Sequence, residues 1–285
     1  MFLTQEQLKT YKNNGFVLLN ECFSRTEIEI MKAELPALFA EETSKRVLEE
    51  EGNTVRSVHG SHTSNEVFRC LSRHPRLVLP AMHILGSKVY IYQFKINAKA
   101  AFSGDVWEWH QDYIFWKKED GLRTPRVTNA LVFLDEMNEL NGPLFFMVGS
   151  HKEGMIEVKA RNFKENSEES KVNGSSWKSS FTAKLKYSLN QKMIADLALK
   201  YKIVSIKALP GSVLFFDSNI VHSSPNNISP FDRSVVIVTF NSIENIPSTV
   251  DNPRPDFLVS RDFRPIEPLS DDALLIQNIS ENLAL

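Results

Sequence analysis

The sequence predicts a mainly β fold, either an antiparallel sandwich or a jelly roll, with helices packed on its outside. From residue 88 onward, short apolar segments follow one another, separated by turns rich in Gly, Pro and Asn. No helical pattern separates these segments, whereas a parallel α/β sheet would need a helix between successive strands. The 285 residues are 42% hydrophobic and 24% charged, which is typical of a globular protein. We expect one domain over residues 1–285, with a helical part at about 1–85 and a jelly-roll core at about 86–245.

The helical part is indicated by its capping signals and by its apolar spacing. Thr4 precedes Gln7 and Ser24 precedes Glu27 by three residues, and both pairs match the capping box of a helix start. Apolar residues then recur at helical spacing, at Ile28, Met31, Leu35, Leu38 and Phe39. The short apolar segment "GFVLLN" between the helices is better interpreted as a strand.

The first strand of the core is "KVYIYQFKIN", in which the period changes to two. One face is wholly apolar, and the other begins apolar and ends with Gln93, Lys95 and Asn97. Such a strand can pack one face on helices and line a pocket with the other. Further strands are predicted at "TNALVFLDE", "LFFMVGSH", "KIVSIKAL", "GSVLFFD" and "RSVVIVTFNSI".

Residues 153–200 interrupt the strand series with a polar interval. Its segment "KENSEESKVNGSSWKSS" is too hydrophilic to form a core. A loop of this length is usually a lid or a disordered insertion, and the sequence leaves both open.

Charge and cysteine content limit the class of partner and the location. The formal net charge is −2 and neither half carries a basic block, which argues against nucleic acid or an anionic membrane surface as the partner. The N-terminus lacks a signal-peptide pattern, and no apolar run approaches the roughly 20 residues that span a bilayer. Cys22 and Cys70 form no metal motif and suit a reducing compartment. We therefore expect a cytoplasmic protein with a small-molecule partner, present as a monomer or a homodimer.

Three potential metal ligands and one arginine indicate a candidate catalytic metal site. His110 and Asp112 stand in "GDVWEWHQDYIFWKKEDG", and His222 and Arg233 in "GSVLFFDSNIVHSSPNNISPFDRSVVIV". Two imidazoles and one carboxylate suit non-haem Fe(II) with open coordination positions, whereas a structural zinc site more often recruits thiolates. A guanidinium is a bidentate partner for the free end of a dicarboxylate that chelates iron. If Arg233 begins a strand, it shares a face with Val235, Ile237 and Thr239.

Other residues near these segments are given simpler interpretations. His59, His62 and His151 are interpreted as loop residues outside the metal site. Of Trp107 and Trp109, one is expected in the core and the other at the cavity, and the sequence does not decide which. Asp135, Glu136 and the run Lys117–Asp120 are interpreted as turn and surface groups.

The pattern H-x-D, a distant His and then "R-S" resembles the Fe(II)- and 2-oxoglutarate-dependent oxygenases of the phytanoyl-CoA dioxygenase superfamily. It is most similar to ectoine hydroxylases and their amino-acid-hydroxylating relatives. The resemblance runs from "LTQEQLKTYKNNGFVLLNECFS" through "VRSVHGSH", "YQFKINAKAAFSGDVWEWHQDYIFWKKEDG", "NALVFLDEMNELNGPLFFMVGSHKEG" and "GSVLFFDSNIVHSSPNNISPFDRS" to "FNSIEN".

This resemblance implies a double-stranded β-helix fold and a set of site residues. It implies that Fe(II) is bound by His110, Asp112 and His222, that 2-oxoglutarate is bound by Arg233 with Ser224 and Asn97, and that substrate is bound by Gln93, Trp116 and Phe216. The implied reaction uses O₂ to oxidise a substrate C–H bond while 2-oxoglutarate becomes succinate and carbon dioxide. Hydroxylation is the usual outcome. Desaturation, oxidative cyclisation, a different metal in the triad and a non-catalytic jelly-roll binding protein are the alternatives.

The substrate residues depart from the ectoine hydroxylase pattern. Gln111 stands where the pattern has a small hydroxyl residue, and Val235 and Ile237 stand where it has Asn and aromatic residues. We therefore expect a small amino acid or an amino-acid-derived metabolite other than ectoine. A carboxylated substrate would need a cation, for which the candidates are Lys95, Arg123 and Arg126.

Overall fold

The structure is a computed structural model that describes residues 2–161 and 177–276. The α-helices in these residues are α1 (Gln5–Asn14), α2 (Arg25–Ala33), α3 (Leu35–Ala40), α4 (Glu66–Ser72), α5 (Pro75–Leu85), α6 (Asp112–Asp120) and α7 (Gln191–Ala198). The strands are β1 (Phe16–Leu19), β2 (Arg46–Leu48), β3 (Val55–His59), β4 (Val89–Lys99), β5 (Trp107–His110), β6 (Val127–Phe133), β7 (Phe145–Met147), β8 (Ile203–Ser205), β9 (Val213–Asp217), β10 (His222–Ser224) and β11 (Arg233–Ser242).

The strands form two antiparallel sheets, which confirms the predicted fold class. The large sheet has the order β1-β9-β6-β11-β4-β3-β2, and the small sheet has the order β5-β10-β7-β8. Phe146 on the small sheet and Phe216 on the large sheet pack between them, with ring centroids 5.4 Å apart. The sheets therefore face each other as the two layers of a jelly roll.

The outer face of the large sheet packs on the helices, as the period-two pattern of β4 predicts. Phe94 and Ile96 of β4 join Val236 and Val238 of β11 in a core with helical residues such as Phe68. Gln93, Lys95 and Asn97 lie on the opposite face, toward the small sheet. This face forms the wall of a cavity.

Capping boxes begin α1 and α2 where the sequence places them. The Thr4 side chain accepts a hydrogen bond from the Gln7 backbone at 3.1 Å, and the Ser24 side chain accepts one from the Glu27 backbone at 3.3 Å. The apolar series after Ser24 is divided between α2 and α3 at Glu34, because Pro36 in the first turn of α3 has no N–H to continue the α2 hydrogen bonds.

Two local predictions are wrong. His59 is the last residue of β3, which pairs with β4, and is not a loop residue ahead of the sheet. Residues 117–120 form the last turn of α6, in which Lys117 and Lys118 are exposed as predicted, but Asp120 is 5% exposed and is paired with Arg254. In both cases the environment of the residue depends on a partner that is distant in the sequence.

The polar interval is described in part. Residues 153–161 and 177–200 belong to the described chain, whereas most of "KENSEESKVNGSSWKSS" lies outside it. Within the described residues, no helix is long and apolar enough to cross a membrane.

Candidate active site

The three predicted metal ligands lie together at one end of the small sheet. His110 ends β5, Asp112 begins α6, and His222 begins β10 directly opposite His110. One donor atom from each residue lies within 4.8 Å of the others, and all three residues are buried. His110 Nε2 and Asp112 Oδ1 are 3.6 Å apart. The chain turns from strand to helix between His110 and Asp112, and this turn brings the carboxylate beside the two rings.

The other polar atoms of these side chains are held by the protein. His110 Nδ1 donates to the Glu108 carbonyl at 2.6 Å, and His222 Nδ1 donates to the Ile220 carbonyl at 3.0 Å. Each ring therefore presents Nε2 with its lone pair to the site. Asp112 Oδ2 accepts from Asn129 Nδ2 at 2.8 Å, which directs Oδ1 toward the rings. Two imidazole nitrogens and one carboxylate oxygen make a donor set that fits Fe(II).

The pKa shifts of Asp112 and His222 favour the protonation states in which these side chains can bind a metal ion. Burial raises the pKa of the Asp112 carboxyl, but its contacts with His110, His222 and Lys95 outweigh burial and hold that pKa well below its usual value. Burial, together with the nearby His110, lowers the pKa of His222 to about 4. At neutral pH, Asp112 is thus anionic and His222 is neutral.

Arg233 lies in the same cavity, at the first position of β11. It is 3% exposed, its Nη2 donates to the Gly142 carbonyl at 2.5 Å, and Ser224 Oγ donates to the same carbonyl at 2.8 Å. Burial lowers the pKa of Arg233 to about 10, and burial with the charges of Arg233 and Arg56 lowers the pKa of Lys99 to about 6. At neutral pH Arg233 therefore carries the positive charge at this end of the cavity.

Gly142 is required beside Arg233 for steric reasons. Its φ is +72°, and a Cβ added there would lie 2.6 Å from Lys99 Cδ and 2.7 Å from the Pro225 carbonyl oxygen. Only glycine lets this carbonyl approach both Arg233 and Ser224.

All the remaining predicted contact residues line this cavity. They are Gln93, Asn97, Trp116, Phe216 and Ser224, and the cavity is also lined by Lys95, Val235 and Ile237. Among the described residues, Gln93 Nε2 and Asn97 Oδ1 are buried without a hydrogen-bond partner. A ligand can therefore bind to a donor and an acceptor that the protein leaves unused.

The two tryptophans of β5 lie in different surroundings. Trp107 lines the cavity, whereas Trp109 packs on a separate cluster with Met147, Leu189 and Val221. The pairing of β5 with β10 is irregular between His222 and Ser224, which breaks the simple alternation of faces along β5.

Several candidate residues lie away from the cavity. Arg123 donates to Ser248 Oγ at 3.1 Å, and Arg126 pairs with Glu244 at 2.5 Å; neither lines the cavity. Of the three cations considered for a substrate carboxylate, only Lys95 does. His151 Nε2 donates to the Lys12 carbonyl at 3.1 Å, outside the metal-ligand group.

Sequence reasoning missed several residues that line the cavity. Lys99, Phe115, Ser180, Phe181, Leu185 and Arg254 are among them. Arg254 Nε donates to Asp120 Oδ1 at 2.7 Å and its Nη2 to Oδ2 at 2.5 Å. It stands in an irregular C-terminal segment, where no periodicity indicates the direction of a side chain.

A jelly roll that gathers two histidines, one aspartate and a buried arginine in one cavity defines the class of non-haem iron oxygenases. The sequence model of the phytanoyl-CoA dioxygenase family matches residues 11–235. The chain belongs to this family and is an Fe(II)- and 2-oxoglutarate-dependent dioxygenase.

Relatives named as amino-acid or ectoine oxygenases are similar to this chain over most of its length. The L-proline trans-4-hydroxylase of Streptomyces griseoviridis is 36% identical over 265 residues, which cover 93% of this chain and 95% of that protein. The ectoine dioxygenase of Nocardia farcinica is 34% identical over 271 residues, covering 92% of this chain and 86% of that protein. The crystal structure of EctD from S. alaskensis with 2-oxoglutarate and 5-hydroxyectoine has a TM-score of 0.78 and 27% identity, covering 94% of this chain and 87% of that chain.

Proposed function

We propose that the protein hydroxylates a C–H bond of a small free amino acid, or of a compact derivative of one, and that its iron is held by His110, Asp112 and His222. The observation that carries this proposal is the convergence of these three donors with Arg233 in one buried cavity. When bound, Fe(II) with 2-oxoglutarate and O₂ would supply the oxidising power for the C–H bond.

The Arg233 end of the cavity suits 2-oxoglutarate. The guanidinium can bind a carboxylate through two parallel hydrogen bonds, and Ser224 and Asn97 lie beside it as further polar partners. Leu131, Leu144 and Val235 line the same cavity and can pack on the two methylene groups between the carboxylates of this co-substrate. We assign the co-substrate to Arg233, Ser224 and Asn97 on this basis.

The opposite part of the cavity suits an amino acid. Lys95 is 9% exposed and lines the cavity, so it can pair with the carboxylate of a substrate. Gln93 offers its unused Nε2 donor, while Trp116 and Phe216 provide apolar surface. The similarity to enzymes named for L-proline and for ectoine makes small cyclic amino acids the first candidates.

Gln111 does not contact the substrate part of the cavity, although it stands between His110 and Asp112 in the sequence. Its Nε2 donates to the carbonyls of Gly154 and Asn219 at 2.8 and 2.5 Å, and its Oε1 accepts from the Ile156 N–H at 2.8 Å. The side chain therefore joins two loops and does not line the cavity. Val235 and Ile237 do line it, and they present aliphatic surface in place of the amide of Asn and of aromatic rings.

A substrate screen tests the proposal. Purified protein with Fe(II), 2-oxoglutarate and O₂ is supplied with free amino acids and with their N-alkylated or cyclic derivatives, ectoine included, and succinate is measured. We expect succinate formation to depend on one or a few small amino acids and to be lost in Asp112→Ala with the fold intact. A product heavier by one oxygen indicates hydroxylation, and one lighter by two hydrogens indicates desaturation or ring closure. Turnover that persists unchanged in Asp112→Ala would refute the metal assignment.

A further inference from the structure

Residues 177–189, which we call the strap, form one wall of the cavity although they belong to the polar interval. Ser180, Phe181 and Leu185 of the strap line the same cavity as the metal-ligand group. Phe181 and Leu185 also belong to one apolar cluster with Phe115 and Trp116 of α6. The strap therefore presents a mainly hydrocarbon surface to whatever occupies the cavity.

Arg56 binds the strap backbone from the large sheet. Its Nε donates to the Phe181 carbonyl at 2.7 Å, and its Nη2 donates to the Val106 carbonyl at 2.6 Å. Its guanidinium lies over the Trp107 ring at 3.8 Å from the centroid. One side chain thus connects the strap to the segment that enters β5 and leads to His110.

A β-bulge explains how Arg56 reaches this position. Val47 pairs with Ser57 and Leu48 pairs with Val55, so Arg56 is the extra residue of β3 between these two pairs. A bulge changes the direction of a side chain relative to regular alternation. Arg56 is 0% exposed and is neutralised by Glu49 at 2.8 Å, an arrangement that costs desolvation and gives a fixed geometry.

The other anchors of the strap are on the elements of the metal-ligand group. Glu108, two residues before His110, accepts from the Leu185 backbone N–H at 2.8 Å. Glu119 at the end of α6 accepts from Lys186 Nζ and from Tyr187 Oη, each at 2.7 Å. The position of the strap is thereby coupled to β5 and α6, which carry His110 and Asp112.

We propose that the strap is the substrate-specificity wall of this cavity and that Arg56 is the positioning residue that fixes it. This inference rests on the proposed function, because it assigns the strap to the amino-acid substrate and not to 2-oxoglutarate. Phe181 and Leu185 would contact the hydrocarbon part of that substrate, while Lys95 and Gln93 hold its polar groups. The strap then selects a substrate by the size and shape of its hydrocarbon part.

A pair of leucine substitutions tests the wall itself. Leu185→Ala removes apolar surface from the cavity, and Leu199→Ala is the matched control, since Leu199 follows α7 and is 88% exposed. We expect Leu185→Ala to raise the KM for the best wild-type amino acid about tenfold and to shift preference toward a bulkier one, while the KM for 2-oxoglutarate stays within about twofold. Leu199→Ala should match wild type in all three values.

Arg56→Lys tests the positioning role. It keeps the charge beside Glu49 but loses the planar fork that reaches two carbonyls. We expect a raised amino-acid KM with an unchanged 2-oxoglutarate KM, together with faster trypsin cleavage after Lys184 or Lys186 than in wild type, as mapped by mass spectrometry. The proteolysis needs no substrate and reports the strap directly.

The outcomes separate this inference from the proposed function. If wild type forms no amino-acid-dependent succinate, both are overturned. If wild type is active but Leu185→Ala keeps its KM and preference, the inference alone fails. It fails equally if Arg56→Lys raises both KM values alike, or if its strap is cleaved no faster than that of wild type.

Discussion

At the residue scale, the candidate site depends on polar atoms that the protein has already bound. The Nδ1 atoms of His110 and His222 donate to backbone carbonyls, and Asn129 holds Asp112 Oδ2 while its own Oδ1 accepts from Thr239 Oγ1 at 2.7 Å. Each candidate ligand therefore has one remaining donor atom and one orientation. Preorganisation of this kind holds the three donor atoms of the candidate site in one arrangement.

Arg233→Lys tests the co-substrate assignment at this scale. Lysine keeps the positive charge but cannot form two parallel hydrogen bonds with one carboxylate. We expect the KM for 2-oxoglutarate to rise by about 10–100-fold, which corresponds to one lost charge-assisted hydrogen bond of about 1.5–3 kcal/mol. Steady-state kinetics with each substrate varied in turn would measure this, with the exposed Arg123→Lys as control. An equal rise in the KM for the amino acid would contradict the assignment.

At the scale of elements, the site is assembled where short elements end. β5 ends at His110, α6 begins at Asp112 and β10 begins at His222, so each candidate ligand lies at the end of a strand or helix. Such termini need support from neighbouring loops, and Gln111 supplies it between His110 and Asp112 through three hydrogen bonds to backbone groups. Functional side chains on loop-supported termini of a rigid sheet are common in enzymes.

Gln111→Leu tests this support. Leucine is of similar size but leaves three backbone groups without their partner: the Asn219 carbonyl, whose bond to Gln111 is buried, and the part-buried Gly154 carbonyl and Ile156 N–H. An unsatisfied buried group costs about 1–3 kcal/mol. We expect a clearly lower free energy of unfolding in urea, whereas Gln191→Leu on the exposed start of α7 should match wild type. A Gln111→Leu protein as stable as wild type would show that water or a neighbouring group replaces these bonds without loss.

At the scale of the whole molecule, strand series and spacing predicted much of the architecture. The alternation in β4 and the apolar runs of β6, β9 and β11 predict strands because sheet packing repeats every two residues. β3 was missed, and so were α6 and α7, which lie between strands where the sequence predicts no helix. The surroundings of β3 and of the end of α6 come from distant parts of the chain. His59 pairs with Lys95 in the sheet, and Asp120 is buried by Arg254.

The cavity also contains some residues that the sequence predicts and others that it does not. The four residues with distinctive chemistry, His110, Asp112, His222 and Arg233, were predicted from their types and spacing, and the structure brings them together. Phe181 and Leu185 lie in a polar interval, and Arg56 is directed by a bulge, so no local pattern indicated them. The positions of residues that shape the cavity depend on tertiary contacts, so these residues are harder to predict from the sequence than residues with metal-binding or anion-binding side chains.

Anaerobic titration with Fe(II) and 2-oxoglutarate tests the central claim most directly. A 2-oxoglutarate chelated to Fe(II) gives a visible charge-transfer band, so the band reports metal and co-substrate in one cavity without any turnover. We predict a band that saturates at one iron per chain in the wild type and that is absent in His222→Ala, with the same thermal unfolding profile. A band of equal intensity in His222→Ala, or no band in the wild type, would contradict the account.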